Sequence, residues 1–441
     1  MLGAEEQYKI LMRGVIDQVP GNALLEKLKK SVETGVPLRV KMGVDPTAPD
    51  VHLGHTVVMR KLRQFQDLGH TVVLIVGDYT ATVGDPSGRN TTRPPLSHEQ
   101  VLANAETYKK QFFKIVDESR TEVVYNGQWF SKMSFLEILG LMSRLTVAQM
   151  LERQDFANRY KNGVSIGIHE FVYPLMQGWD SVEIRSDVEL GGTDQKFNVL
   201  RGRELQAWKG MEGQVGLFLP ILLGTDGERK MSKSIGNYVG VNEPPQTMYH
   251  KIYNIADAIV PDWYRLLTDE PLEEVDAMAE GIASGRLNPM ELKHRLAKII
   301  VSQYHGERAA EEARAAEAAI QSGSAIPDDA INIDLPPGIY PISLLDMLAG
   351  HIFSSKGETR RMVQNGGVTF IYDTGANIQF VDTSTPKVGL NGNSSFVVQL
   401  PDLSGSICLL RDTPPEKAFL YVRVGKRKYY KVRFAKPIDR K

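Results

Sequence analysis

The stretch from Leu38 to Asp78 constrains the fold more than any other part of the chain. LRVKMGV (38–44) is an apolar run of strand length, and a loop containing Pro46 and Pro49 follows it. HTVVMRKLRQFQDLG then places Val58, Leu62 and Phe65 at helical spacing, with Gly69 as a stop signal. TVVLIVGD (71–78) is a second, nearly continuous apolar strand, as expected when both faces of a sheet are covered. Strand, crossover helix and strand in this order predict a parallel α/β layer. Similar patterns run to about residue 225, so the expected fold class is α/β, with a Rossmann-like parallel-sheet domain over 1–235.

From Pro244 to Ser322 the pattern is helical, which predicts an α-helical domain over 236–325. Its Ala/Glu-rich end reads as a solvent-facing helix by composition. A linker over 326–340 with three prolines leads to a third, α+β unit over 341–441. There Ser355-Lys-Gly-Glu358 has the capping-box pattern of a helix start, and Asn365-Gly-Gly367 ends that helix before the strand VTFIY. Several short β-like runs follow. The last 21 residues carry nine Lys/Arg against one Asp.

The formal net charge is -1, so a nucleic-acid partner has to be held by local basic patches. With 42% apolar and 24% charged residues the chain has the balance of a globular protein, which excludes collagen-like and disordered classes. Its single cysteine, Cys408, cannot form an internal disulfide or a thiolate zinc cluster and fits a reducing compartment. The start, MLGAEEQYKILMRGVIDQVP, has neither a signal-peptide nor a transit-peptide pattern, and no apolar run reaches membrane-spanning length. The expectation is a cytoplasmic protein with no membrane partner.

Two segments carry chemistry. Asp45-Pro-Thr47-Ala-Pro-Asp-Val-His52-Leu-Gly54-His55 lies between a strand and a helix, where free backbone N–H groups and the helix dipole favour an anion. His52 and His55 can face that anion while Gly54 permits close approach. Lys230-Met-Ser232-Lys233-Ser sits between Gly/Ser-rich flanks, as a mobile loop with two point charges suited to phosphate. Either motif alone is more often a capping pair or a solvated loop. Two further patterns accompany them. Tyr173, Gln177 and Asp180 share one face of a helix, with Pro174 kinking it or marking its first turn. Gly191-Gly-Thr-Asp194-Gln195 lets a ligand lie against backbone beside a carboxylate suited to ribose hydroxyls.

HLGH followed some 180 residues later by KMSKS resembles the signature pair of the class I aminoacyl-tRNA synthetases. With Thr82-Val-Gly-Asp85-Pro-Ser-Gly-Arg89, YPLMQGWD (173–180) and GGTDQ (191–195), the chain resembles the bacterial tyrosyl-tRNA synthetases, in the subgroup with lysine before the glycine of the first loop. That resemblance implies a tyrosine–tRNA ligase that joins L-tyrosine to tRNA(Tyr), using ATP with Mg²⁺ and no tightly bound cofactor. It implies His52, His55, Lys230 and Lys233 as catalytic residues, with Asp45, Thr47, Gly54, Asp194, Ser232 and Lys233 around ATP. Tyrosine would be held by Asp85, Tyr173 and Gln177 at its amino group and Asp180 at its phenol, with Gln195 beside the adenylate. Lys41 stands where better-known relatives carry a tyrosine that contacts the phenol; as an ammonium it can only donate there, support Asp180, or point elsewhere. Arg89 stands where several relatives have lysine. A homodimer is implied by resemblance alone. The C-terminal unit resembles an S4 RNA-binding domain, relative to which about 371–420 is an insertion whose role is not readable, and in which Lys356, Arg360 and Arg361 line one helix face. Lys426 and Arg427 add to it, with Tyr421, Tyr429, Tyr430 and Phe434 interleaved for base stacking. A tryptophan enzyme, a non-catalytic RNA-binding paralogue and a generic nucleotidyltransferase are the rival readings. Asp180 and the S4-like tail weigh against the first and the intact HLGH and KMSKS against the second; the third needs neither the helical nor the S4-like unit.

Overall fold

The computed structural model describes residues 2–434 except 48–49, 88–96, 322–329, 336–341, 374–377, 382–386, 392–394, 400–405, 410–418 and 426–427. The chain divides into two compact units: 1–243 with 255–293, and 244–254 with 294–441.

The first unit is built on a six-stranded sheet in the order 17–19, 215–219, 188–192, 39–44, 71–76 and 121–125. All neighbours are parallel except 17–19, which runs antiparallel to 215–219. The expected unit is present as the strand Arg39–Val44, the helix Leu53–Asp67 and the strand Thr71–Val76. Val72, Val73, Leu74 and Ile75 are fully buried, which explains the unbroken apolar run. Each such side chain contributes about 1.5–3 kcal/mol relative to exposure. From Arg39–Val44 the chain moves outward through Thr71–Val76 to Thr121–Tyr125. It then returns to lay Val188–Gly192 on the other flank of the first strand. The order of strands reverses there, and such a switch point opens a crevice at the carboxyl ends of the two strands.

Two helices cover one side of that crevice. Ile168–Glu183 holds Pro174 within it and packs closely on Lys196–Trp208. The approach depends on glycine. A Cβ on Gly178 would lie 2.9 Å from the backbone carbon of Arg201, and one on Gly202 would lie 2.8 Å from the Ser181 hydroxyl. The helices Val260–Leu267 and Leu272–Ala283 complete this unit.

In the second unit the helix Pro245–Tyr253 packs against Glu307–Gln321. The Ala/Glu-rich helix is not simply solvent-facing: Ala310, Ala313 and Glu317 are buried, and Glu317 meets Nδ1 of His250 at 2.7 Å. Alanine reads as neutral by composition, yet its small size lets two helices approach.

Further along, the helices Leu344–His351 and Lys356–Gln364 share a core with a sheet in the order 387–391, 395–399, 368–373, 419–424, 428–434, 331–335. The Ser355 hydroxyl accepts from the Glu358 N–H, while the Glu358 carboxylate reaches back to Ser354. Strands 387–391 and 395–399 of the insertion extend this sheet. Its strands 378–381 and 406–409 join 342–343 in a second one.

Replacing Gly178 by alanine forces a methyl group against the backbone of Arg201–Gly202, and overpacking of this kind costs about 1–3 kcal/mol. Chemical denaturation should show that loss, whereas the same change at Gly140, where a Cβ meets nothing, should leave the midpoint nearly unmoved.

Candidate active site

Met42–Asp45 leave the sheet on one side of the crevice, and Glu189–Gly192 with the turn Thr193–Gln195 form the other. Between them is a cavity of about 370 Å³. Asp85, Tyr173, Gln177 and Gln195 line it, together with Asp45, Thr47, His55, Asp194 and Lys230. Residues from five separate segments of the chain thus meet around one space.

One part of the wall is a connected polar network. Tyr173 donates its hydroxyl to Oδ2 of Asp45 at 2.9 Å, and Thr80 donates to Oδ1 at 2.7 Å. Burial first, and then the Asp45 and Asp85 charges, hold the Tyr173 phenol well above its usual pKa, so it remains a donor. Gln195 donates to Asp85 at 2.9 Å, and Asn198 donates to Gln177 at 3.0 Å and to Gln195 at 3.3 Å. Arg153 in turn fixes Asn198 through its side-chain oxygen at 3.1 Å. Tyr173 and Gln177 face the cavity one helical turn apart despite Pro174 between them.

A second part is cationic. The rings of His52 and His55 stack with centroids 3.8 Å apart. A Cβ on Gly54 would press on the His52 ring at 3.0 Å, so this glycine serves the stack. Nδ1 of His55 accepts the backbone N–H of His52, which places the proton of the neutral ring on Nε2. Burial, then the His55, Lys233 and Lys230 charges, push His52 down to about 2; burial and the same lysines push His55 to about 4. Both rings are therefore neutral at pH 7 and can offer a ligand a hydrogen bond but no charge.

The charge is on the loop. Lys230 reaches Asp194 at 2.8 Å, and Lys233 reaches Asp50 at 2.8 Å. These pairs are largely exposed, so each is worth about 0.2–1 kcal/mol and is readily exchanged for a stronger anion. Ser232 does not line the cavity; its N–H donates to Asn237, and its hydroxyl meets Ser234.

Three of the expected residues lie away from the cavity lining or from an open surface. Lys41 does not line the cavity: it is fully buried, and its ammonium is spent on Glu189 at 3.0 Å, the Gln177 carbonyl at 2.7 Å and the Ser181 hydroxyl at 2.8 Å. Three acceptors exhaust its three protons, leaving none for a phenol. Asp180 lies behind the lining, accepting from Trp129 at 3.0 Å and Asn126 at 3.3 Å. Burial raises it to about 7 against the opposing pull of Lys41 and these two donors. Tyr429 is buried and donates to the Ile320 carbonyl, so it belongs to the core and not to a stacking surface.

On the helix Lys356–Gln364, Arg360 and Arg361 are exposed, and Lys356 pairs with Asp346 at 2.6 Å. Tyr421 lies under Lys431 at 5.6 Å. Arg89, Lys426 and Arg427 lie outside the described residues. Sequence reasoning missed Glu189, Asn198 and Asn237. Asn237 donates to Asp226 and to the Arg229 and Lys230 carbonyls, organising the lysine loop. Single polar residues without a spacing signal offer no means of finding them.

Comparison with known proteins now identifies the class. A model of tRNA synthetases class I (W and Y) matches residues 33–321. The tyrosine–tRNA ligase of Carboxydothermus hydrogenoformans is 48% identical over 399 residues, covering 87% of this chain and 96% of its own. That of Moorella thermoacetica is 50% identical over 362 residues, covering 82% and 87%. A solved tyrosyl-tRNA synthetase from Archaeoglobus fulgidus, complexed with L-tyrosine, is 26% identical with a TM-score of 0.56, covering 70% of this chain and 99% of its own. A fungal mitochondrial tyrosyl-tRNA synthetase from Aspergillus nidulans, 23% identical with a TM-score of 0.58, shares the fold over 72% of this chain and 96% of its own. The chain belongs to the bacterial tyrosyl-tRNA synthetases.

Proposed function

We propose a division of labour for tyrosine–tRNA ligation, the activity that goes with this family, between the two parts of the cavity wall. The observation that carries it is their juxtaposition: Asp85, Tyr173 and Gln177 on one part, and His55, Lys230 and Asp194 on the other. The first set offers carboxylate, hydroxyl and amide oxygens to an ammonium, and Asp180 supplies the acceptor for a phenol behind it. The second set offers donors and positive charge to phosphates and a carboxylate to ribose.

In the first step the tyrosine carboxylate attacks the α-phosphate of ATP. A phosphorus–oxygen bond forms to tyrosine, the bond to the β-phosphate oxygen breaks, and pyrophosphate leaves. The nucleophile is already an anion at pH 7, so no general base is required, and catalysis consists of alignment and charge stabilisation. His55 donates from the start of the helix, and His52 holds it in the stack. ATP arrives with Mg²⁺ as its substrate complex. Its phosphates draw Lys230 and Lys233 from Asp194 and Asp50, and the first exchange releases Asp194 for the ribose. Thr47, Asp45 and Gln195 lie around the adenylate. In the second step the terminal ribose hydroxyl of tRNA attacks the adenylate carbonyl, forming the ester and releasing AMP.

For the RNA, Arg360 and Arg361 with Lys426 and Arg427 supply phosphate contacts on an S4-like unit. A cytoplasmic setting fits this role; among the described residues no helix is long and apolar enough to cross a membrane. Homodimerisation is supported by apolar side chains left exposed on successive helices of the first unit. Phe135, Leu136 and Ile168 are each at least three-quarters exposed, with Val147 and Tyr160 close behind.

ATP–pyrophosphate exchange with each of the twenty amino acids, without tRNA, tests the core reading. Tyrosine alone should support exchange. Lys233→Ala should slow it by about 10²–10³-fold, as loss of a transition-state contact does, with tyrosine affinity nearly unchanged. Exchange with tryptophan instead would remove Asp180 from its role.

With Asp180 at about 7, its ionised fraction drops from about nine-tenths at pH 8 to about one-tenth at pH 6. The carboxylate form that accepts the phenol proton is therefore lost as pH falls, and the KM for tyrosine should rise up to about tenfold. The turnover at saturation should stay flat over that range, because both histidines are neutral throughout. Sedimentation of the full chain should give a dimer, and Leu136→Glu should shift it to monomer; an unchanged monomer in both would refute the interface.

A further inference from the structure

Lys41 and Glu189 are direct partners across the parallel strands Arg39–Val44 and Val188–Gly192, and both side chains are buried. Their ion pair closes at 3.0 Å. A buried pair of this kind is weak evidence for stability, because desolvation offsets much of the attraction and apolar replacements are often neutral or better. Its partners suggest a different use.

The Glu189 carboxylate receives four donors: Lys41, Nε2 of Gln177 at 3.1 Å, the Ser181 hydroxyl at 3.2 Å and Nε2 of Gln214 at 2.5 Å. A carboxylate only accepts, so it holds the NH₂ edge of the Gln177 amide and turns the oxygen edge away. That oxygen accepts from Asn198 at 3.0 Å and retains a second lone pair. Lys41 meanwhile grips the main-chain carbonyl of the same Gln177 at 2.7 Å. Both the backbone and the amide of Gln177 are thus fixed by the two members of one ion pair.

We propose that Lys41 and Glu189 are positioning residues that hold the Gln177 amide with its oxygen available to the α-ammonium of the amino-acid substrate. This rests on the assignment of Gln177 to that ammonium. The position occupied by lysine before the first-loop glycine then serves the amino end of the substrate through Gln177, and not its phenol. With glutamine at 189, either edge of the new amide can face Gln177, and of the two contacts that orient the Gln177 amide only the one from Asn198 is kept.

Two competitive ligands of the full-length protein separate the possibilities: tyramine, which keeps the ammonium, and 3-(4-hydroxyphenyl)propionate, which lacks it. Glu189→Gln should weaken tyramine about tenfold, a difference of about 1.4 kcal/mol, and leave the deaminated ligand within about twofold. Equal weakening of both, or of neither, would overturn the proposal, since a merely structural role does not distinguish them. Should the single variant fail to fold, Lys41→Met with Glu189→Gln removes the pair as a unit, and the same ratio is read. Gln177→Leu is the control for the underlying assignment. If it leaves tyramine binding intact, the assignment of Gln177 fails. If it weakens tyramine while Glu189→Gln does not, the positioning role fails alone.

Discussion

The reversal of strand order beside Arg39–Val44 is the constraint on which the site depends. Parallel strands need crossover helices, and when successive crossovers place strands on opposite flanks of a starting strand, the loops at its carboxyl end diverge. The crevice that opens is lined by whatever those loops carry. Here one loop brings Asp45, Thr47 and the stacked histidines, and the facing turn brings Asp194 and Gln195. The helix Ile168–Glu183 can close the side only because glycines at 178 and 202 let it approach its neighbour. Catalytic geometry and core packing are therefore the same arrangement seen at two levels.

Charge in the site is handled in two ways. Buried groups are either neutral or paired: both histidines are uncharged, and Lys41 and Glu189 satisfy each other among neutral donors and acceptors. Groups that must meet a polyanion stay near solvent, where Lys230 and Lys233 rest on carboxylates in weak, exchangeable pairs. A buried lysine could not make that exchange cheaply, since leaving its partner would strand a charge in a medium of low dielectric. In the proposed division of labour, this separation makes the cavity rigid on the side assigned to the amino acid and adjustable on the side assigned to phosphates.

Much of the site is legible in the sequence because its residues come in short motifs at fixed spacing. Tyr173 and Gln177 are one helical turn apart, so their shared face follows from spacing alone, and Pro174 changes neither residue's placement. The alternation of apolar strands and periodic helices between 38 and 78 likewise reflects local geometry alone. Other residues are opaque for a physical reason. Lys41 reads as a charge near a ligand, but its role is decided by Glu189, which lies on a strand almost 150 residues away and is brought alongside by the sheet. Asn237 is one polar residue after a glycine, and only the folded loop shows it bonded to Asp226 and two carbonyls. The Ala/Glu-rich helix misleads because composition reports solubility, whereas burial depends on what packs against it.

The sequence by itself determined the parallel α/β layer, the order of its helical and C-terminal parts, and the family to which its motifs belong. Those properties follow from periodicity and from contiguous residues, which act within a turn or two of backbone. Tertiary structure decided which of those residues share a cavity, which charges survive in it, and that Lys41 meets Glu189 and the Gln177 carbonyl. Such outcomes depend on distances between segments remote along the chain, and on the dielectric that their packing creates.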